Sequence, residues 1–292
     1  MSPAAAALPA VAADALAGRT VIITGAHGGL GAEAAKACAR AGATVVLAGR
    51  RVPKLNRVYD AVRALGPEPA LYPLDLAGAD PADYAALAEK VATELGGLHG
   101  LLHCAAEFTG LAPLEATDPE AFVRNLHVNL TAPWLLTQAC LPWLRQAGDS
   151  AVVFVTDDPA RVGKPYWGAY GLAKLGLAHL VHQLSAETDA TPVRVAGLEP
   201  GPMRTDLRAR AYADEAQLSF QVLPEAVKVV VADRGPGIPD LELAMTPGWS
   251  TATPEIRARG FGAGLGLPNI KSSADEFRLE STPGVGTTLT YA

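Results

Sequence analysis

A chain of 292 residues, 49% apolar and 18% charged, is long enough to bury one large core or two unequal ones, which argues for a globular protein. A net charge of −6 without clustered Lys and Arg argues against nucleic acid or an anionic membrane as the partner and favours a small molecule. Cys38, Cys104 and Cys140 are widely spaced, with no CxxC pair and no metal-spaced His cluster, so no disulfide framework or metal site is expected and a reducing cytoplasm is the expected location.

Residues 1–17 are Ala-rich but lack a basic start and are broken by Pro3, Pro9 and Asp14, so they read as a flexible leader and not a signal peptide. No apolar run reaches the roughly 20 residues that span a bilayer. Short apolar, β-branched runs at 20–24, 44–48, 70–72, 100–104, 151–156 and 193–198 predict strands buried on both faces. Between them, 31–41, 53–65, 81–95, 119–144 and 170–188 carry apolar residues at helical spacing. This alternation predicts an α/β fold, a Rossmann-type doubly wound parallel sheet. Near 217 the pattern changes to a strand at 227–232, a Gly-, Pro- and Thr-rich stretch to 266, a short helix, and strands at 277–279 and 287–291. The expected organisation is a leader over 1–17, a dinucleotide-binding oxidoreductase domain over 18–216 and a small α+β segment over 217–292.

The first strand runs into Thr24-Gly25-Ala26-His27-Gly28-Gly29-Leu30-Gly31 and then a helix, the context a dinucleotide site requires. Gly25 would permit the tight turn, Gly29 the approach of pyrophosphate and Gly31 close packing of helix on strand, while the helix N-terminus supplies free N–H groups. A glycine-rich turn without a ligand is the plainer alternative. At the end of the second strand, where an NAD-binding domain places an acid on the ribose, stands Gly49-Arg50-Arg51. The Arg50 guanidinium can take a 2′-phosphate, which predicts NADP(H) in preference to NAD(H); a solvated surface arginine is the alternative.

The Thr-Gly-x-x-x-Gly-x-Gly spacing resembles the short-chain dehydrogenase/reductase family, and further landmarks follow in order over residues 18–216. Asp75-Leu76 looks like the adenine-contacting pair, and His103-Cys104-Ala105-Ala106 stands where Asn-Asn-Ala-Gly is expected, placing Ala105 at the cofactor. Asn129 is similar to the family's active-site Asn, Tyr170-x-x-x-Lys174 to its catalytic pair, and Pro200-Gly201-Pro202-Met203-Arg204-Thr205 to the segment that closes over the nicotinamide. The resemblance implies acid/base work by Tyr170, electrostatic support and ribose binding by Lys174, and a water relay at Asn129, on a carbonyl or alcohol substrate. It also implies a homodimer through the helices at 119–144 and 170–188.

The sequence departs from that family at one catalytic position. Thirteen residues before Tyr170, where the family has a Ser that donates to the substrate carbonyl, stands Asp157. An ionised Asp offers no donor and opposes a developing alkoxide. Thr156 could supply the hydroxyl, Asp157 could be protonated, the substrate could present a donor, or reductase activity could be lost, leaving a catalytically impaired NADP(H)-binding regulator.

The final segment carries Asp233, Gly235 and Gly237 in one glycine box, Gly262, Gly264 and Gly266 in a second, and Gly284-Val285-Gly286-Thr287 in a third. These resemble the ATP-binding fold of sensor histidine kinases and anti-sigma serine kinases, which implies ATP binding and a kinase or anti-sigma regulator as an alternative function. That fold needs an upstream Asn for Mg²⁺, yet no Asn lies between Asn129 and Asn269. The chain reads as a fusion of two partial folds, the second either a nucleotide site or glycine-rich structure standing in for the family's missing lid and seventh strand, with exposed sheet edges the expected result.

Overall fold

The computed structural model describes residues 12–201, 203, 205–211, 217–222, 227–232, 236–250, 264 and 266–291. The chain divides into two compact units, Met1–Ala211 and Tyr212–Ala292.

In the first unit, six parallel strands run β1 (Thr20–Thr24), β2 (Thr44–Gly49), β3 (Ala70–Pro73), β4 (Gly100–His103), β5 (Ser150–Val155) and β6 (Val193–Leu198), in the spatial order β3-β2-β1-β4-β5-β6. This is the Rossmann order. All five residues of β1 are buried, as a central strand covered by helices on both faces must be. On one face α1 (Gly29–Arg40) and α2 (Val52–Arg63) cover a core of Ile23, Val45, Leu47, Leu55 and Val62. The small residues Gly31, Ala35 and Ala39 form the buried stripe of α1, so the helix can lie close to β1. The other face carries α3 (Pro81–Glu94), α5 (Ala132–Gln146) and α7 (Gly168–Thr188) over Ile22, Leu87, Leu101, Leu136 and Phe154. Helix α3 begins with a capping box: Asp80 accepts from the Ala82 and Asp83 amides while Asp83 accepts from the Asp80 amide.

The sequence pattern over 119–144 suggests one helix, but the structure has three pieces: α4 (Pro119–Leu126), a π-helical turn (His127–Thr131) and α5. The Ala132 amide bonds the His127 carbonyl, five residues back, so one extra residue is inserted into the turn that carries Asn129. The four-residue α6 (Pro159–Val162), capped by Asp158, leads toward α7, and α8 (Asp206–Ala211) closes the unit.

The second unit contains a four-stranded antiparallel sheet, β7 (Gln217–Val222), β8 (Val227–Ala232), β9 (Phe277–Thr282) and β10 (Gly286–Tyr291), in the order β7-β8-β10-β9. Strand β7 goes beyond the elements expected from sequence. Two short helices, α9 (Leu241–Ala244) and α10 (Gly266–Ser273), lie between β8 and β9 in the chain. Among the described residues no helix is long and apolar enough to cross a membrane.

Candidate active site

Parallel pairing brings Thr24 level with Ala48 and His103, so the loops that leave β1, β2 and β4 open at one sheet edge, where the strand order reverses. The glycine loop is folded tightly there. Gly25 has φ +63°, and a Cβ on it would lie 2.7 Å from the Ala105 Cα. A Cβ on Gly31 would lie 2.4 Å from the Gly25 carbonyl oxygen, so neither position has room for a side chain. Thr24 is buried, and its hydroxyl accepts from the Ala105 amide at 3.2 Å, tying the loop to β4. Gly28 begins α1 with no side-chain cap and no acidic residue in the first turn, which leaves positive N–H ends for an anion.

Thr205 comes from the far end of the unit and closes over this loop. A Cβ on Gly29 would meet its methyl at 2.9 Å, and its hydroxyl accepts from the Arg208 amide at 3.2 Å, capping α8. Gly201 has φ +68° in the same connecting segment, next to Pro200. Leu30 lies half-buried in the first turn of α1. Asp75 is exposed and accepts from the Ala77 amide at 3.2 Å, while Leu76 is buried in the core under it. His27 lies between the glycine loop and the end of β2, with a buried Nδ1 that has no hydrogen-bond partner among the described residues. Its pKa is lowered by burial and then by Arg51, Lys54 and Arg50, so the corner is strongly cationic. An orphaned ring nitrogen among three cations, beside an uncapped helix and a cradle that a Cβ would fill, fits a phosphorylated dinucleotide.

Tyr170 and Lys174 project from one face of α7, both buried. The Lys174 Nζ donates to the Val155 carbonyl at 2.7 Å and stands 5.6 Å from the centre of the Tyr170 ring. Burial pushes its pKa down to about 8, partly opposed by Asp157 and Cys104. The Tyr170 hydroxyl donates to Asp157 Oδ2 at 3.0 Å. Burial first, then the Asp157 charge and hydrogen bond, raise the phenol far above its ordinary value. The other Asp157 oxygen, Oδ1, accepts from the Asp158 amide at 2.8 Å and pairs with Arg161 one turn along. Asp157 therefore meets Tyr170 directly. The Thr156 side chain lies against Gly197 of β6 instead.

Asn129 is fully enclosed. Its Oδ1 accepts from the Glu107 amide at 3.0 Å, and its Nδ2 donates to the Glu107 carbonyl at 2.7 Å and to the Asn125 carbonyl at 2.9 Å. Two residues that the sequence reading did not single out thus shape the site, Glu107 and Arg161. The second was legible as an acid and a base four apart; nothing in the sequence marked the first. His103 bonds Thr137 Oγ1 through Nε2 at 2.9 Å and stacks on Phe154 at 4.6 Å, and burial lowers its pKa to about 3, so it is a neutral core residue at neutral pH. Burial holds the Cys104 thiol at about 12, which makes it a poor nucleophile.

Residues 19–216 match the short chain dehydrogenase family. This chain belongs to that family. It is 34% identical over 203 residues to the oxidoreductase YciK of Escherichia coli, covering 69% of this chain and 80% of that protein. It is 32% identical over 201 residues to cis-4-hydroxycyclohexanecarboxylate dehydrogenase of Sinomonas cyclohexanicum, with 69% of this chain and 80% of that one covered. Among solved structures, a short chain dehydrogenase from Escherichia coli CFT073 complexed with NADPH superimposes with a TM-score of 0.67 at 35% identity, over 70% of this chain and 85% of that one. Short-chain dehydrogenases are oxidoreductases, and this one has a nicotinamide-dinucleotide fold. Residues 206–292 match the histidine kinase-, DNA gyrase B- and HSP90-like ATPase family, overlapping the first match over residues 206–216.

In that second unit the described parts of the first and third glycine boxes come together. The Gly284 amide donates to the Pro236 carbonyl at 2.8 Å, and Ser281 Oγ accepts from the Ile238 amide at 2.7 Å while sharing a 2.9 Å hydrogen bond with Thr287. Gly237, at φ +72°, has its α-carbon packed against the Thr282 carbonyl. Gly264, at φ +70°, packs on Gly248 and Trp249, and Gly266 begins α10. Asp233, Gly235 and Gly262, with Pro202 and Arg204 of the first unit, lie outside the described residues.

Proposed function

We propose that this short-chain dehydrogenase is an NADP(H)-dependent oxidoreductase acting on a carbonyl or alcohol. The observation that carries the cofactor preference is the cationic corner formed by Arg50, Arg51 and Lys54 around His27, at the place where an NAD site would put an acid. The NADPH complex of a structural neighbour supports it. Thr24, Gly25, Gly29, Gly31, Ala105 and Thr205 would hold the dinucleotide, Asp75 and Leu76 its adenine, and Pro200 and Gly201 the nicotinamide side. The bound cofactor would supply or accept a hydride. Tyr170 exchanges the proton with substrate oxygen, Lys174 favours its phenolate, and Asn129 holds the loop that carries Glu107.

Asp157 against the Tyr170 hydroxyl favours a second reading, a cofactor-binding regulator with impaired turnover. Thermal unfolding with NADPH, NADH and Mg-ATP, followed by a carbonyl and alcohol screen, separates the readings. A ligand at a hundredfold over its Kd stabilises by about 2.7 kcal/mol. Stabilisation by NADPH above NADH, with turnover that Tyr170→Phe removes, supports the oxidoreductase; stabilisation without turnover supports the regulator; a response to Mg-ATP alone moves function to residues 212–292.

The exposed apolar residues Val123 on α4, Trp134 on α5, and Leu172 and Leu175 on α7 support a homodimer through these helices. Size-exclusion at several concentrations tests it, a monomer at all of them counting against. The expected location is the cytoplasm.

A further inference from the structure

The surroundings of Tyr170 narrow the substrate class, on the oxidoreductase reading above. One Asp157 oxygen is saturated by Arg161 and the Asp158 amide, while the other, among the described residues, holds only the Tyr170 hydroxyl, at 3.0 Å. A carboxylate oxygen has two acceptor sites, so Oδ2 can take one more donor, and it would do so beside the phenol that exchanges the substrate proton. Tyr170 also lines a depression with Phe108, Phe122 and Trp167, to which Asp157 does not contribute. Phe108 packs 5.4 Å from Trp167 and 5.1 Å from Tyr170, centre to centre, and Trp167 lies 5.8 Å from Tyr170. These rings are buried against one another, so the countercharge for a cation here would come from Asp157.

A plain ketone would place its oxygen lone pairs against Asp157, and its reduction would build an alkoxide there, which like-charge repulsion opposes. A substrate with an ammonium on the neighbouring carbon removes that obstacle. Nitrogen and oxygen on adjacent carbons stand about 3 Å apart, which matches the spacing of Asp157 Oδ2 and the Tyr170 hydroxyl. We propose that the site takes a vicinal amino alcohol and its α-amino ketone, the ammonium bound by Asp157 and the oxygen by Tyr170.

In the reductive direction the carbonyl carbon gains hydride from NADPH, the C=O π pair becomes an alkoxide lone pair, and that oxygen takes the Tyr170 proton. NADP⁺ and the amino alcohol are the products, and the phenolate regains a proton from solvent. The ammonium stays protonated throughout. Its N–H bonds supply to the developing alkoxide the donor that Asp157 lacks.

The test uses trans-2-aminocyclohexanol, trans-4-aminocyclohexanol and cyclohexanol. Binding to the cofactor-free protein is read by tryptophan fluorescence, since Trp167 packs 5.8 Å from Tyr170, and turnover by NADP⁺ reduction. The expected result is that the vicinal amino alcohol binds at least tenfold more tightly than cyclohexanol and is oxidised fastest of the three. Asp157→Asn should abolish the binding difference, and Asp157→Ser should shift turnover toward cyclohexanol. Equal binding of the three, faster oxidation of cyclohexanol by the unaltered protein, or turnover of none overturns the proposal. NADPH-dependent thermal stabilisation, measured alongside, shows whether the cofactor reading survives that result.

Discussion

The Arg50 guanidinium lies 3.7 Å from the Glu107 carboxylate, so the residue expected to read a 2′-phosphate also faces an acid. Glu107 is nearly buried and also accepts from Arg124 at 2.6 Å, while its backbone holds Asn129. Phosphate and Glu107 compete for Arg50. Arg50→Ala should weaken NADPH binding by ~10–100-fold, the scale of a lost charge-assisted contact, and leave NADH nearly unchanged. Glu107→Gln should instead tighten NADPH several-fold. Calorimetric titration of both variants with both dinucleotides checks this; an unchanged NADPH to NADH ratio in Arg50→Ala would sink the assignment.

Because burial and then Asp157 hold the Tyr170 proton on, the phenolate needed for alcohol oxidation forms only at high pH. Replacing Asp157 by Ser removes the anion and leaves Arg161 nearby, so the phenol should ionise more readily. The rising limb of the oxidation rate against pH should move to lower pH in Asp157→Ser. An unmoved limb would mean that Tyr170 does not feel Asp157.

Lys174 makes a stability prediction with a definite sign. Burial lowers its pKa from 10.5 to about 8, so between those values the unfolded chain binds more protons than the folded one. Stability therefore rises with pH across that window, and below pH 8 the folded state carries the full cost, on the order of 3 kcal/mol. Lys174→Met should raise the cofactor-free protein's resistance to unfolding at pH 7 by ~1–2 kcal/mol, after allowing for the hydrogen bond lost at Val155. The gain should shrink toward pH 10.5. Denaturation at pH 7 and pH 10 reads both points, and a loss of stability at pH 7 would contradict the argument.

Gly31→Ala sets a Cβ 2.4 Å from backbone oxygen, whereas Gly29→Ala meets only the Thr205 methyl at 2.9 Å. The first must push the loop off α1 and should cost ~1–3 kcal/mol and most NADPH affinity. The second can be relieved by rotation of Thr205 and should keep the fold while weakening the cofactor more modestly. Thermal midpoints with and without NADPH distinguish them.

The inner strands were legible because strands covered on both faces must be short, continuous apolar runs, as 20–24 shows; the run at 193–198, expected to be buried on both faces, is instead a largely exposed edge strand. The break in the helix over 119–144 was not, because an added residue alters the periodicity too little to be seen in so apolar a segment. Strand β7 was missed although Leu218, Phe220 and Val222 alternate with polar residues in sequence, since the change of pattern near 217 was read as a boundary. Tyr170, Lys174 and Asp157 could be named from their spacing. What spacing could not convey is the direction of the Asp157 hydrogen bonds, because that depends on α6 folding back to bring Arg161 to the carboxylate.

The π-helical turn at His127–Thr131 has a consequence for how this protein can vary. Asn129 is seated by backbone groups of Glu107 and by Asn125, whose carbonyl accepts from the Asn129 side chain. Removing any one residue between His127 and Thr131 would restore ordinary helical pitch with the flanking helices nearly in phase, but would withdraw the Asn129 side chain from the Glu107 backbone that seats it. The segment therefore tolerates exchange of side chains far better than a change of length, and descendants of this gene should keep its residue count even where its residues drift.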